Sequence, residues 1–180
     1  PNNGVMGDDD VKVTGSWEYE DVEVAKHQVK YEWSNAPTSE TLPDPITDLV
    51  KGQGYTIDSK YTKGYVVNTY DAYGNINGEY TFNGWTDPNN GVMGDDDVKV
   101  TGSWDYKDVK VPEHTITYVL DGKTYATETK VYNQPISIMA DPADREGYTF
   151  SGWTVVGYPD GLPATMHAKD LKVEGTFNAN

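Results

Sequence analysis

Apolar and polar residues alternate in several short runs along this chain. Val29, Tyr31 and Trp33 are separated by Lys30 and Glu32, the period-two pattern of a strand with one buried face. Val98, Val100, Gly102 and Trp104 alternate with Lys99, Thr101 and Ser103, and Leu171, Val173, Gly175 and Phe177 hold the same phase. Gly64–Tyr70 and Glu79–Trp85 are rich in Tyr, Val and Thr. The turn-forming stretch DAYGNING (Asp71–Gly78) between them predicts a hairpin with a long tip. One segment reads as a helix: DPITDLVK (Asp44–Lys51) has Asp44 as N-cap, Pro45 in the first helical position and Gly52 past its end. The pattern predicts a mostly β chain of α+β type with that single short helix.

The runs belong to a repeat. PNNGVMGDDDVKVTGSW stands at Pro1–Trp17 and again at Pro88–Trp104. Extended to Val24 and Val111, the two copies differ only at Glu18/Asp105, Glu20/Lys107 and Glu23/Lys110, all charged positions suited to water. A weaker copy follows. YTFNGW (Tyr80–Trp85) recurs as YTFSGW (Tyr148–Trp153), MGDDDVKVTGSW (Met93–Trp104) aligns with MHAKDLKVEGTF (Met166–Phe177), and KHQVKYEW (Lys26–Trp33) aligns with EHTITYVL (Glu113–Leu120). The division expected is a tail of a preceding unit at 1–25, a first unit at 26–111 and a second at 112–180, so that the chain begins inside a unit. The second unit is shorter in its front half, and the helical segment is expected among the residues it lacks. Near-identical duplication of this kind marks tandem arrays of one module. The glycine recurring as Gly15, Gly102 and Gly175 predicts a bulge, or a large side chain lying over bare backbone, which Trp85 or Trp153 could supply.

Charge and composition narrow the function. The formal net charge is −15 and the pI about 4.3, which disfavours nucleic acid and anionic membranes as partners. With no cysteine there is no disulfide, thiolate metal site or thiol nucleophile. Fourteen Tyr and five Trp supply the apolar area that small modules without such staples need. The junctions Glu18–His27 and Asp105–His114 are short, strand-like and free of Gly and Ser, and so predict a stiff connection.

Motifs with chemistry are sparse. The acidic triplets Asp8–Asp10 and Asp95–Asp97 lack EF-hand spacing, and the second unit places Ala168 and Lys169 where Asp95 and Asp96 stand, so they read as solvated turns and no metal is expected. His27 and His114 each precede a leading strand, and His167 stands apart; no second His lies at ligand spacing. LPATM (Leu162–Met166) approximates a wall-sorting signal but has Met166 where that signal has Gly, at a position aligned with the core residue Met93. Tyr73, in the hairpin tip, and Tyr158, in the enlarged loop of the second unit, are candidate sugar- or protein-contacting aromatics. No catalytic residue, cofactor or defined ligand-binding set is predicted, and the chain is not read as an enzyme.

The leading strand HQVKYEW, the YTFNGWT motif and the final MGDDDVKVTGSW resemble the SHIRT-type tandem repeats of Gram-positive surface adhesins. GYTFSGW with DLKVEGTF also resembles the shorter Listeria–Bacteroides repeat, of the internalin B-repeat type. That resemblance implies a β-grasp-like fold and an extracellular, cell-wall-attached protein whose repeats form a stalk or aid adhesion. The partners it implies are neighbouring repeats in the same chain and, in a binding alternative, a host glycan or protein. A monomer with no membrane span in this stretch is expected. A third possibility, a glycan-degrading enzyme, would require a cleft with paired carboxylates.

Overall fold

The computed structural model describes residues 4–180. The repeated segment's first copy begins at residues 1–3, which lie outside the described residues. The rest of that copy, up to Lys26, forms no strand and is exposed throughout, with Trp17 at 101%. The identical side chain in the second copy, Trp104, is 1% exposed. Sequence is therefore insufficient to bury this strand: the neighbours that cover it decide.

Those neighbours form the first sheet. Its strands are β1 (His27–Ser34), β2 (Ile46–Leu49), β3 (Val66–Tyr70), β4 (Ile76–Thr86) and β5 (Val98–Asp108), in the order β2-β1-β5-β4-β3. The leading strand β1 and the final strand β5 run parallel, with Val29 beside Val98 and Tyr31 beside Val100. Every other contact in the sheet is antiparallel. The expected hairpin is β3–β4, with its tip at 71–75.

The second sheet repeats the plan. Its strands are β6 (Glu113–Leu120), β7 (Lys123–Val131), β9 (Thr154–Val155) and β10 (Leu171–Gly175), in the order β7-β6-β10-β9. A two-stranded extension joins β8 (Tyr148–Phe150) to β11 (Phe177–Ala179). Ile116 pairs with Leu171 and Tyr118 with Val173, again in parallel. The second sheet has no counterpart of β3. Without that outer partner, the long continuous β4 and β5 are matched here by the broken pairs β8/β9 and β10/β11.

Period two places one apolar set on one face of each sheet. Val29, Tyr31, Leu49, Met93, Val98 and Val100 form one core, and Ile116, Tyr118, Val155, Met166, Leu171 and Val173 form its equivalent. The first sheet adds a wholly aromatic core of Tyr61, Phe82 and Trp104, flanked by Trp33, Tyr65, Tyr80 and Trp85. On the opposite face Lys99 pairs with Glu32 at 3.0 Å across neighbouring strands, in water.

Irregular segments cover the cores, and two buried tyrosines pin them. The Tyr31 hydroxyl accepts a hydrogen bond from the Asp58 N–H at 2.9 Å, and the Tyr118 hydroxyl accepts one from the Met139 N–H at 3.2 Å. Burial pushes the pKa of both phenols up, so each stays a neutral hydroxyl that can serve a loop amide.

Three expectations need correction. The described residues contain no helix: DPITDLVK supplies strand β2, antiparallel to β1. Eight residues are too few to repay helix nucleation, Ile46 and Thr47 are β-branched, and β1 offers an open edge. Asp48 takes φ +60° there and its carboxylate accepts from Lys26 at 3.0 Å. The β-grasp-like expectation fails with it, since a grasp needs a helix laid across the sheet. Nor does the second half lack this region. Val50–Gln53 and Val131–Gln134 form the same turn: the N–H of Val50 or Val131 donates to the side chain of Gln53 or Gln134, each at 3.1 Å. The N–H of Gly52 or Asn133 donates to the carbonyl of Met93 or Met166, at 2.8 and 2.9 Å. Tyr148, which aligns with Tyr80 at the start of the recurring YTF motif, is 38% exposed. It lies under the Arg145 guanidinium, 3.9 Å from the ring centroid, because no β3 covers it.

Candidate functional site: the junction between the sheets

The connection between the sheets is four residues long, 109–112, between the end of β5 and the start of β6. The Val109 N–H donates to the Asn77 carbonyl at 3.0 Å, which continues the β4–β5 pairing past the strand end. Pro112 then fixes its own φ and offers no donor.

A second contact crosses the junction. The tip of the β3–β4 hairpin is organised by Asp71, whose carboxylate accepts from the N–H groups of Tyr73 and Asn75 at 2.8 and 2.9 Å and from the Asn75 side-chain amide at 2.9 Å. Desolvation would raise the Asp71 pKa, but these hydrogen bonds outweigh it and hold the carboxyl below its ordinary value. The Asn75 amide has two hydrogens. Its nitrogen also donates to the Tyr132 carbonyl, 2.8 Å away in the turn just past the end of β7. Tyr132 is held in turn by Asn133, which has φ +62° and is bonded to the buried Met166. Polar contacts thus run from the hairpin tip of one sheet to the core of the next.

The candidate aromatics are not brought together. Tyr73 lies exposed in the hairpin tip. Tyr158 packs against the second core, with its hydroxyl 3.1 Å from His167 Nδ1 and the Lys169 ammonium 5.4 Å from its ring centre. An aromatic surface that sequence reading missed lies on the first sheet. Tyr80 and Tyr106 face each other with ring centroids 4.7 Å apart, and they line an open depression of about 530 Å³ with Asn35, Ala36, Trp104 and Asp105. Tyr106 is 48% exposed. Its one sequence signal was alternation after Trp104 in GSWDYK.

The remaining motifs have structural roles. Asp97 and Asp170 each clamp the start of the parallel pair. Asp97 accepts from the Gln28 N–H at 3.0 Å and Asp170 from the Thr115 N–H at 2.8 Å, while His27 and His114 each stand 3.9 Å from the respective carboxylate. Asp95 pairs with Lys51 at 2.8 Å instead of converging with Asp97. Among the described residues no group of three or more His, Cys, Asp or Glu could hold a metal ion. In LPATM, Met166 is fully buried and Leu162 packs against its core. No helix of the described residues is long and apolar enough to cross a membrane.

Over the described residues, fold and junction together define tandem β modules without a helix, each built on a parallel pairing of its leading and final strands. Residues 25–107 match the SHIRT domain family, and residues 114–156 match the Listeria-Bacteroides repeat domain family. Both resemblances read from the sequence are met. Among solved structures the chain is similar to "Streptococcal High Identity Repeats in Tandem (SHIRT) domains 3-4 from cell surface protein", at 17% identity and a TM-score of 0.36, over 86% of this chain and 98% of that one. No curated protein matches the chain.

Proposed function

We propose that this chain is part of the tandem-repeat region of a bacterial cell-surface protein and acts as a stiff spacer that holds a more distal domain away from the surface. In this reading residues 26–111 and 112–180 are successive modules, and residues 1–25 are the end of one before them. The protein is extracellular, attached to a Gram-positive cell wall, monomeric along its length, and performs no chemistry of its own. The observation that carries the reading is the double junction: the four-residue connection with its Val109–Asn77 bond, and the separate Asn75–Tyr132 bond. Two attachments at different points resist bending where one would act as a hinge. The match of adjacent segments to two repeat families supports the modular part.

Small-angle scattering on Lys26–Asn180 tests it. One compact globule of this length has a radius of gyration of about 15 Å, whereas two module-sized beads end to end, ~32 Å apart, give about 20 Å. The spacer predicts the larger value, unchanged at high salt where charge repulsion is screened. A value near the smaller one excludes a stalk.

A second reading, recognition of a host glycan or protein, is favoured by one observation: the Tyr80–Tyr106 depression, an open hollow whose lining combines these two rings with the polar residues Asn35 and Asp105. Aromatic faces with adjacent polar groups suit sugar rings. Titration of isotope-labelled protein with host oligosaccharides would shift the amides of Tyr80, Asp105 and Tyr106 together if this reading holds, and Tyr106→Ala would abolish the shifts. Unchanged spectra would reject it.

A further inference from the structure

We infer that the turn at Lys51–Gly52 is a docking socket for the hairpin tip of a preceding copy of the first module. The inference rests on the tandem-module reading above. Its basis is an equivalence across three parts of the structure.

The first part is the socket. Tyr132, the acceptor of the Asn75 bond, lies in a turn that the first sheet reproduces atom for atom in its hydrogen bonding. Lys51 stands where Tyr132 does, between Val50 and a residue of positive φ, Gly52 in place of Asn133. Gln53 closes the turn as Gln134 does, and it bonds to Met93 as Gln134 bonds to Met166. The isolated bridges beyond, Gly54 with Val92 and Pro135 with Thr165, are also equivalent. Lys51 and Tyr132 are both exposed. The Lys51 carbonyl is therefore presented by an equivalent turn, fixed to Met93 as the other is fixed to Met166.

The second part is the tether. In the observed junction, Asp108 ends the strand and His114 lies just inside the next. In the duplicated segment, Asp21 and His27 have the same separation. A strand formed by Val11–Asp21 would therefore reach β1 through a connection as long as that joining β5 to β6. Val22 would take the place of Val109.

The third part is the occupant. The tip that seats on Tyr132 belongs to the module whose last strand is Val98–Asp108. Val11–Asp21 differs from that strand only at Glu18 and Glu20, both outward positions. The module that such a strand completes is thus of the first module's kind, with an Asp71–Asn75 tip. The lysines beside this socket are engaged with their own module, Lys26 with Asp48 and Lys51 with Asp95, so the backbone carbonyl of Lys51 is the group that the tip would meet.

The test extends the chain in frame with a second copy of residues 25–87 ahead of Pro1, so that residues 1–24 complete a module. Trp17 emission reports completion of that module and should shift to the blue, as the buried Trp104 requires. The chain has no cysteine, so nitroxide pairs can be placed cleanly. One pair joins Ala72→Cys of the added copy to Asp96→Cys. The reference pair joins Ala72→Cys of the original module to Lys169→Cys, the equivalent of Asp96. With the socket occupied, both pairs give the same distance with the same narrow width, and Asn75→Ala in the added copy broadens only the first. A blue-shifted Trp17 with a broad or displaced first distance overturns the socket while leaving the modular reading intact. An unshifted Trp17 overturns the modular reading and the socket with it.

Discussion

The indole of Trp85 lies across the backbone of Gly102. A Cβ at Gly102 would stand 2.9 Å from Cε3 of that indole and 2.8 Å from the Phe82 ring. Gly175 is covered in the same way by Trp153 and Phe150, at 2.9 and 2.6 Å. The recurrent glycine inside a strand is therefore a place where aromatic rings press on bare backbone, as the sequence pattern implied. The rings reach it because Gly84 and Gly152, at φ +100° and +82°, bend the chain just before each Trp.

Gly102→Ala and Gly175→Ala should each destabilise by about 1–3 kcal/mol, the usual cost of forcing extra volume into a packed site. Gly15→Ala is the internal control, since a Cβ there meets nothing within 4 Å. Urea unfolding followed by Trp fluorescence should show the first two losses and no change for the third. Equal effects at all three positions would refute the aromatic-cover account.

Tyr31→Phe and Tyr118→Phe keep the ring and remove the hydroxyl that accepts from a covering loop. Each should cost about 1–2 kcal/mol, because an amide hydrogen bond is lost and its donor is left short of a partner. Hydrogen exchange should locate the loss at Asp58 in the first variant and at Met139 in the second. Unaltered exchange at both would show that the loops are held by packing alone.

Asp97 should make the first sheet sensitive to acid. Hydrogen bonds from the Gln28 N–H and side chain, aided by Lys30 and His27, hold its pKa below the ordinary carboxyl value. A carboxyl with a lowered folded pKa gives stability that is complete above its unfolded value, about 3.9. That contribution is lost as pH falls through the folded value. Stability of the first sheet should decline below about pH 4, and Asp97→Asn should flatten the decline while lowering stability at neutral pH. Parallel pH curves for the two proteins would contradict this.

Asn75→Ala removes the hairpin tip's bond to Tyr132 and its side-chain bond to Asp71. Thermal stability should fall by about 1–2 kcal/mol, the net value of two ordinary hydrogen bonds. Residual dipolar couplings should change more. In the parent both sheets share one alignment tensor, and in the variant the two tensors should diverge. A shared tensor in Asn75→Ala would mean that the four-residue connection alone sets the stiffness.

The strands could be read from the chain because alternation is local: Val98, Val100 and Trp104 point one way whenever that segment is extended, and a buried face selects the phase. The repeat was readable for the same reason, as was the glycine under its aromatic cover. The helix was misread because DPITDLVK has local helix-start chemistry, while the open edge of β1, distant in sequence, supplies the stronger partner. The turn shared by Val50–Gln53 and Val131–Gln134 went unseen because only Val and Gln recur, and the likeness lies in φ and in bonds to methionines far along the chain. The junction depended on tertiary structure altogether. Asn75 and Tyr132 carry no joint signal in sequence, since a side-chain amide meeting a backbone carbonyl leaves the acceptor free to be any residue. The identical Trp17 and Trp104 mark the boundary most clearly. Sequence determined what each strand could bury, and only the surrounding fold decided whether it did, because burial belongs to the neighbours as much as to the side chain.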